Sequence, residues 1–362
     1  MFLIDGSLKD YAWGMIDGLV PWTNAPTGGP QAELWFGAHP SGPSPIVGEE
    51  RTLADHLSHD DAPILAKVLA AGQPLSVQVH PSAEQARHMW ANQQIAGPPI
   101  LSDPNEKAEV LLALEPFDAF VGWRPAADAA EIIERLPGMA LAAAALHSGD
   151  RTTAIQMIVE RADHAPELAP LVPTAVLESA EAGRLTRALG ERELTAYQGA
   201  AADFPQDIGV VLTALLDFTT LEPGQAVYLA PGIPHSYVRG VGFEVMTTSD
   251  NVLRLGLTTK PVYVDHALKI MDFTTPAQFL STDVLNPVGS AFGLRRIHGS
   301  PATLTAGYRI VVALEGPAEV SCAGETLVAQ QGQAVVVSAE EPEVTVVSAG
   351  LAVAASAPPQ QP

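Results

Sequence analysis

Apolar and polar residues alternate through PLSVQVH (74–80). This predicts a strand with Leu75, Val77 and Val79 facing a core and Ser76, Gln78 and His80 on the opposite side. The same period of two recurs in KAEVLLAL (107–114), where Lys107 and Glu109 share one face and Val110, Leu112 and Leu114 the other. Residues 1 to about 124 read as short strands punctuated by Gly and Pro, with a few short helices. The clearest of these helices is SAEQARHMWANQQ (82–94), in which Ser82 and Gln85 have the spacing of a capping box.

Helical spacing takes over at about residue 126, in AADAAEIIERL, RTTAIQMIVERAD and AVLESAEAGRLTRALGERELTAYQ. Pro137-Gly138 and the prolines at 166, 170 and 173 are expected to separate these runs. A helical module at 126–205 is therefore predicted to interrupt a β-rich unit formed by 1–125 and 206–270. DIGVVLTALLDFTTL (207–221) is read as the return to strand. A further β portion spans 271–356, its Val-rich strands carrying few candidate catalytic side chains, and residues 357–362 are expected to be a flexible tail.

Composition narrows the function. Lysine and arginine total 19 against 41 Asp and Glu, a formal charge of −22, so no basic stripe is available for nucleic acid. No apolar run has the length of a membrane span, and the N-terminus has no secretory pattern, so membrane partners are not expected and a cytoplasmic location is. One cysteine, Cys322, rules out an intrachain disulfide and a thiolate-rich metal cluster, and its Val-rich surroundings predict a small buried side chain.

The chemistry lies in a few segments. Gln78 and His80 project together, Glu109 sits on an otherwise apolar strand, and PGIPHSYV (231–238) fixes the backbone ahead of His235, with Tyr237 on the same face. Two imidazoles, a carboxylate and a carboxamide oxygen make an N2O2 donor set suited to a borderline divalent ion such as zinc. Each group also has a plainer account. The strand could simply have a polar face, Lys107 and Glu109 could form an edge ion pair, and His235 could be a solvent-exposed turn residue.

In order and spacing, YAWG (11–14), AELWFGAHPSGPS, PLSVQVHP, DPNEKAEVLLAL, VGWRP (121–125) and PGIPHSYVRGVGFEVMTTSDNVLRLGLTTKPV make the chain resemble the type I mannose-6-phosphate isomerases (phosphomannose isomerases) of the cupin superfamily. The resemblance covers about residues 1 to 270. It implies a mainly β fold of cupin-type jelly-roll barrels with an inserted α-helical domain. The catalytic barrel would then be 1–125 with 206–270, and 271–356 a cupin-like C-terminal domain. It implies interconversion of mannose 6-phosphate and fructose 6-phosphate through a cis-enediol by a monomer, with one Zn²⁺ per chain on Gln78, His80, Glu109 and His235.

The resemblance further implicates Arg254 in catalysis and assigns active-site positions to Glu244, Lys107, Trp13, Glu33, Lys67, Ser76, Tyr237, Asp250 and Lys260, with Lys107, Lys67 and Lys260 as candidates for substrate hydroxyls or phosphate. Burial of Glu244 between Phe243 and Val245 would suit it to a general base; orienting a lysine or a metal ligand is the competing role. Two departures stand out. Glu106 replaces a histidine usual in the family, and Ser82 stands in a segment that lacks a common lysine. They leave open a metal-containing sugar-binding cupin without turnover, or an isomerase of another aldose. A cupin oxygenase fits the Gln78 donor and the motif order poorly.

Overall fold

The computed structural model describes residues 1–58, 60–95 and 99–358. Its organising element is the strand His235–Thr247, thirteen residues long and buried along most of its length. The C-terminal half of this strand lies between Ile64–Ala71 and Glu109–Ala113, in a sheet ordered Gln278–Leu280, Ala226–Leu229, Glu109–Ala113, His235–Thr247, Ile64–Ala71, Glu33–Phe36, Ser7–Lys9. Its N-terminal half pairs instead with Phe117–Trp123 and, at His235, with Gln78 of Val77–Val79.

The strand changes sheets at a bend. Its register with Phe117–Trp123 shifts between Tyr237 and Arg239, and Gly240 follows with φ +141°. A Cβ at Gly240 would meet Phe117 Cα at 2.7 Å, so both backbone angle and space demand glycine there. Bulges of this kind let one strand turn the corner between two sheet faces.

Alternation then sorts the side chains. Leu34, Phe36, Val68, Val110, Leu112, Phe243 and Val245 form one apolar face, packed against Ile4, Ile310, Val312, Val336, Val353 and Ala355 of a second sheet. The intervening residues, among them Glu33, Trp35, Lys67, Glu109 and Glu244, point to the other side. Val77, Val79, Leu253 and Leu255 pack against the helices, which directs Gln78 and Arg254 towards the same interior as Glu109.

Helices occupy most of 126–213, from Ala126–Glu134 through Ala140–His147, Arg151–Val159, Val172–Glu181 and Glu191–Asp203 to Gly209–Thr213. One expectation needs correction. Residues 209–213 are helical, and the strand begins at Leu216. Asp207 precedes this helix, its Oδ1 accepting from the Gly209 N–H at 2.7 Å and its Oδ2 from the Thr258 N–H at 3.0 Å, which ties the turn to a distant segment. Pro166, Pro170 and Pro173 lie between the second and third helical runs, as expected, each in the first turn of a helix, where the missing N–H costs nothing.

The Ser82–Gln85 capping box forms as predicted. The Ser82 N–H donates to Gln85 Oε1 at 2.9 Å and the Gln85 N–H to Ser82 Oγ at 3.3 Å, ahead of helix Ala83–Ile95. Ser82→Ala is expected to cost about 0.5–2 kcal/mol in a urea titration, with metal content unchanged.

Apart from a small pairing of Met15–Ile16 with Pro30–Gln31, the other sheets among the described residues are a six-stranded one facing a four-stranded one over a Val- and Ala-rich core. The edge strand Phe2–Asp5 of the six-stranded sheet comes from the N-terminus and pairs with Gln333–Val337, so the two ends of the chain share one sheet. Cys322 is buried at the end of strand Ala318–Cys322, as its surroundings predicted. The fold is mostly sheet with a helical region. No helix among the described residues is long and apolar enough to cross a membrane. The expected flexible tail lies, from residue 359 onward, outside the described residues.

Candidate metal centre

Arg254, Gln78, His235 and Val121 lie opposite one another on four adjacent antiparallel strands, so their side chains form one row on one face. Glu109 reaches this row from the other sheet. Its Oε1 lies 2.9 Å from His235 Nε2 and 3.5 Å from His80 Nε2. Ligand atoms of His80, Glu109 and His235 all fall within 4.8 Å of one another, and the three residues are buried.

The backbone fixes both imidazoles. His80 Nδ1 is 2.9 Å from the Asn251 carbonyl oxygen, and His235 Nδ1 is 3.0 Å from that of Ile233. A carbonyl oxygen only accepts, so each Nδ1 carries the proton and each Nε2 presents a lone pair to the cluster. The Pro231-Gly232-Ile233-Pro234 turn joins them, since the Gly232 N–H donates to the His80 carbonyl at 2.8 Å. Burial, then the Lys107 ammonium, lowers the His80 pKa to about 3, which keeps the ring neutral. Burial alone would raise the pKa of Glu109, but the Lys107 ammonium beside it holds it well below the ordinary carboxylate value. Two imidazoles turned with Nε2 inward and one ionised carboxylate suit a divalent ion.

Lys107 Nζ ion-pairs with Glu109 and lies 3.3 Å from His80 Nε2. The Lys107–Glu109 pair weighed from the sequence is therefore real, but it is buried within the cluster and not at a strand edge. Gln78 presents its amide nitrogen, 3.1 Å from His235 Nε2, while its Oε1 accepts from Ser76 Oγ at 3.0 Å. The oxygen expected to face a cation thus faces Ser76. A half-turn of the carboxamide, which leaves its shape unchanged, exchanges the two atoms.

A second group lies alongside. Lys67 is paired in register with Glu244, and its Nζ lies 2.9 Å from Glu244 Oε2 and 3.3 Å from Glu33 Oε1. Burial opposes the charge on Lys67, yet the two carboxylates outweigh it and raise its pKa. Trp35 Nε1 donates to the other oxygen of Glu33 at 3.0 Å. Glu244 is therefore committed to a cation, the competing role considered above. Tyr237 donates to Glu109 Oε1 at 3.4 Å; burial, Glu109 and Glu244 raise its pKa, so the phenol stays protonated.

The remaining expected residues are spread more widely. Trp13 packs over the apolar cluster that contains Tyr237, with Tyr11 at 5.8 Å between ring centres. Asp250 is exposed and pairs with the buried His39 at 3.3 Å. Arg254 is half-buried, and burial lowers its pKa against the opposing charge of Asp250. Lys260 is exposed, and no contact joins its ammonium to the cluster among the described residues. Glu106 raises the pKa of Tyr228, after burial, from the apolar side of the sheet, so this departure from the family pattern points away from the cluster. Sequence reasoning missed Asn251, Trp35 and His39, although all three lie in segments it had singled out.

Residues 1–126 match the family model described as phosphomannose isomerase type I, catalytic domain. Mannose-6-phosphate isomerase of Salmonella typhimurium is 32% identical over 292 residues, covering 72% of this chain and 71% of that protein. The Escherichia coli (strain K12) protein of that name is 29% identical over 385 residues, 94% of this chain and 95% of its own length. A solved structure of a mutant phosphomannose isomerase from Salmonella typhimurium superposes with a TM-score of 0.81 at 27% identity, over 99% of this chain and 100% of that one. A mannose 6-phosphate isomerase bound with zinc and yttrium does so at 0.77 and 26%, over 99% of each chain. The chain belongs to the type I phosphomannose isomerase family.

Proposed function

We propose that this protein interconverts mannose 6-phosphate and fructose 6-phosphate through a cis-enediol, with one Zn²⁺ per chain held by Gln78, His80, Glu109 and His235. The observation that carries this is the buried convergence of His80, Glu109 and His235, each imidazole turned with Nε2 inward. In this reading the strands of 1–125 and 206–270 form a cupin-type jelly-roll barrel around the site, with 126–205 as an inserted helical domain and 271–356 as a second β domain.

A bound divalent ion would polarise the sugar oxygens and stabilise charge developing on them. The chain supplies the rest. Arg254, in the row with Gln78 and His235, stabilises the enediolate oxygens. Lys107, within reach of Glu109 and His80, is placed to exchange a proton beside them. Glu244 acts through Lys67, holding that ammonium between itself and Glu33 for a substrate oxygen. Trp13, Ser76, Tyr237 and Asp250 line the approach, and Lys260 would meet the more distant end of the substrate.

The test is a panel of phosphorylated and free aldoses assayed with zinc, after chelation, and after zinc is restored. Turnover of mannose 6-phosphate that disappears and returns with the metal is the expected result. Metal and sugar binding without turnover would instead favour the non-catalytic cupin.

A further inference from the structure

Asn251 is fully buried and joins two segments that carry candidate ligands. Its carbonyl oxygen fixes His80 Nδ1 at 2.9 Å. Its side chain grips the loop at 102–105, which runs directly into Lys107 and Glu109. Asn251 Oδ1 accepts from the Ser102 N–H at 2.8 Å and the Asp103 N–H at 3.4 Å. Asn251 Nδ2 donates to the Asp103 carbonyl at 2.9 Å and the Asn105 carbonyl at 2.7 Å. Ser249 tightens the same knot, its Oγ donating to Asp103 Oδ1 at 3.0 Å and accepting from the Asn251 N–H at 3.3 Å.

We infer that Asn251 is the positioning residue of the metal centre. By registering the His80 strand against the Glu109 strand, it sets how tightly the ion is held. The inference rests on the metal reading above. A planar carboxamide suits the task because it offers an acceptor and two donors in one plane. Aspartate lacks the donors, and serine or alanine cannot span the loop. Losing Asn251 would leave the Asp103 and Asn105 carbonyls without these bonds and free the loop before Glu109. Outer partners of metal ligands act in this way, through the orientation of the inner ones.

The experiment measures zinc affinity by competition with a chromophoric chelator, and the visible spectrum of the cobalt-substituted protein. It compares wild type, Asn251→Ala, Ser249→Ala and Val346→Ala, the last a destabilising control in the distant four-stranded sheet. Asn251→Ala is expected to bind zinc roughly 10–100-fold more weakly with a shifted cobalt band, and to recover most of its kcat at saturating metal. Val346→Ala should lose thermal stability without losing affinity. Affinity of Asn251→Ala within about threefold of wild type, against that 10–100-fold expectation, overturns the inference and leaves the metal centre standing. Wild type that binds no ion overturns both. Should Asn251→Ala fail to fold, Ser249→Ala carries the test: a several-fold loss of affinity supports the role, and unchanged affinity rejects it.

Discussion

Replacing His235 by alanine is expected to remove bound metal and turnover together. The imidazole contributes Nε2 at 2.9 Å from Glu109 and 3.1 Å from Gln78, so its loss takes one inward lone pair and opens a gap in the densest part of the cluster. What remains is Glu109 with His80 and Lys107, a carboxylate already engaged by an ammonium. The loss of affinity should exceed the roughly 10–100-fold that an outer partner alone costs. Elemental analysis after gentle purification should find far less than one ion per chain, and a coupled isomerase assay should fall to background. Unchanged metal content would remove His235 from the ligand set. Thermal unfolding separates this from misfolding, because the apolar packing around Phe243, Val245 and the C-terminal sheet does not include His235.

Much of this centre was legible in the sequence, for a physical reason. Strand periodicity is local, and His80 and Glu109 each sit beside apolar neighbours that point the other way, while the Pro-Gly-Ile-Pro turn fixes the backbone ahead of His235. Their convergence follows once the strands pair. The capping box at Ser82 is equally local, and it formed. What escaped was either non-periodic or non-local. GVVLT at 209–213 is too short for periodicity to separate helix from strand, and the bond from Thr258 to Asp207 just before it comes from a distant segment. Asn251 acts partly through its backbone carbonyl, which every residue has, so residue type could not announce it. Pairing of Phe2–Asp5 with Gln333–Val337 spans almost the whole chain, and alternation along either strand does not name its partner.

The Lys67 group shows how burial misleads when read along one strand. Glu244 lies between Phe243 and Val245, a setting that suggests an isolated, desolvated carboxyl. The register instead puts Lys67 directly across from it, and Glu33 completes the set from the next strand. Two carboxylates around one ammonium leave a buried group with a net negative charge, beside a cluster that already holds Glu109. Arg254 faces the same interior from across Gln78, and the carboxylate whose charge acts on it is Asp250.

Arg254→Ala is accordingly expected to keep fold and metal while losing turnover. Arg254 lies directly across from Gln78, one strand further from His235, and no hydrogen bond to its guanidinium is found among the described residues. Its removal thus breaks no side-chain hydrogen bond among the described residues, whereas a His235 substitution dismantles the centre. Loss of a single charge-stabilising donor typically costs 10²–10³ in kcat, and about that loss is expected here, with KM changed much less. Arg254→Lys should recover little, because an ammonium on a shorter reach cannot present two parallel donors to adjacent oxygens. Metal content equal to wild type together with collapsed kcat is the decisive combination. Near-normal kinetics in Arg254→Ala would reject the catalytic role, and lost metal would move Arg254 from the reaction to the architecture of the ligand row.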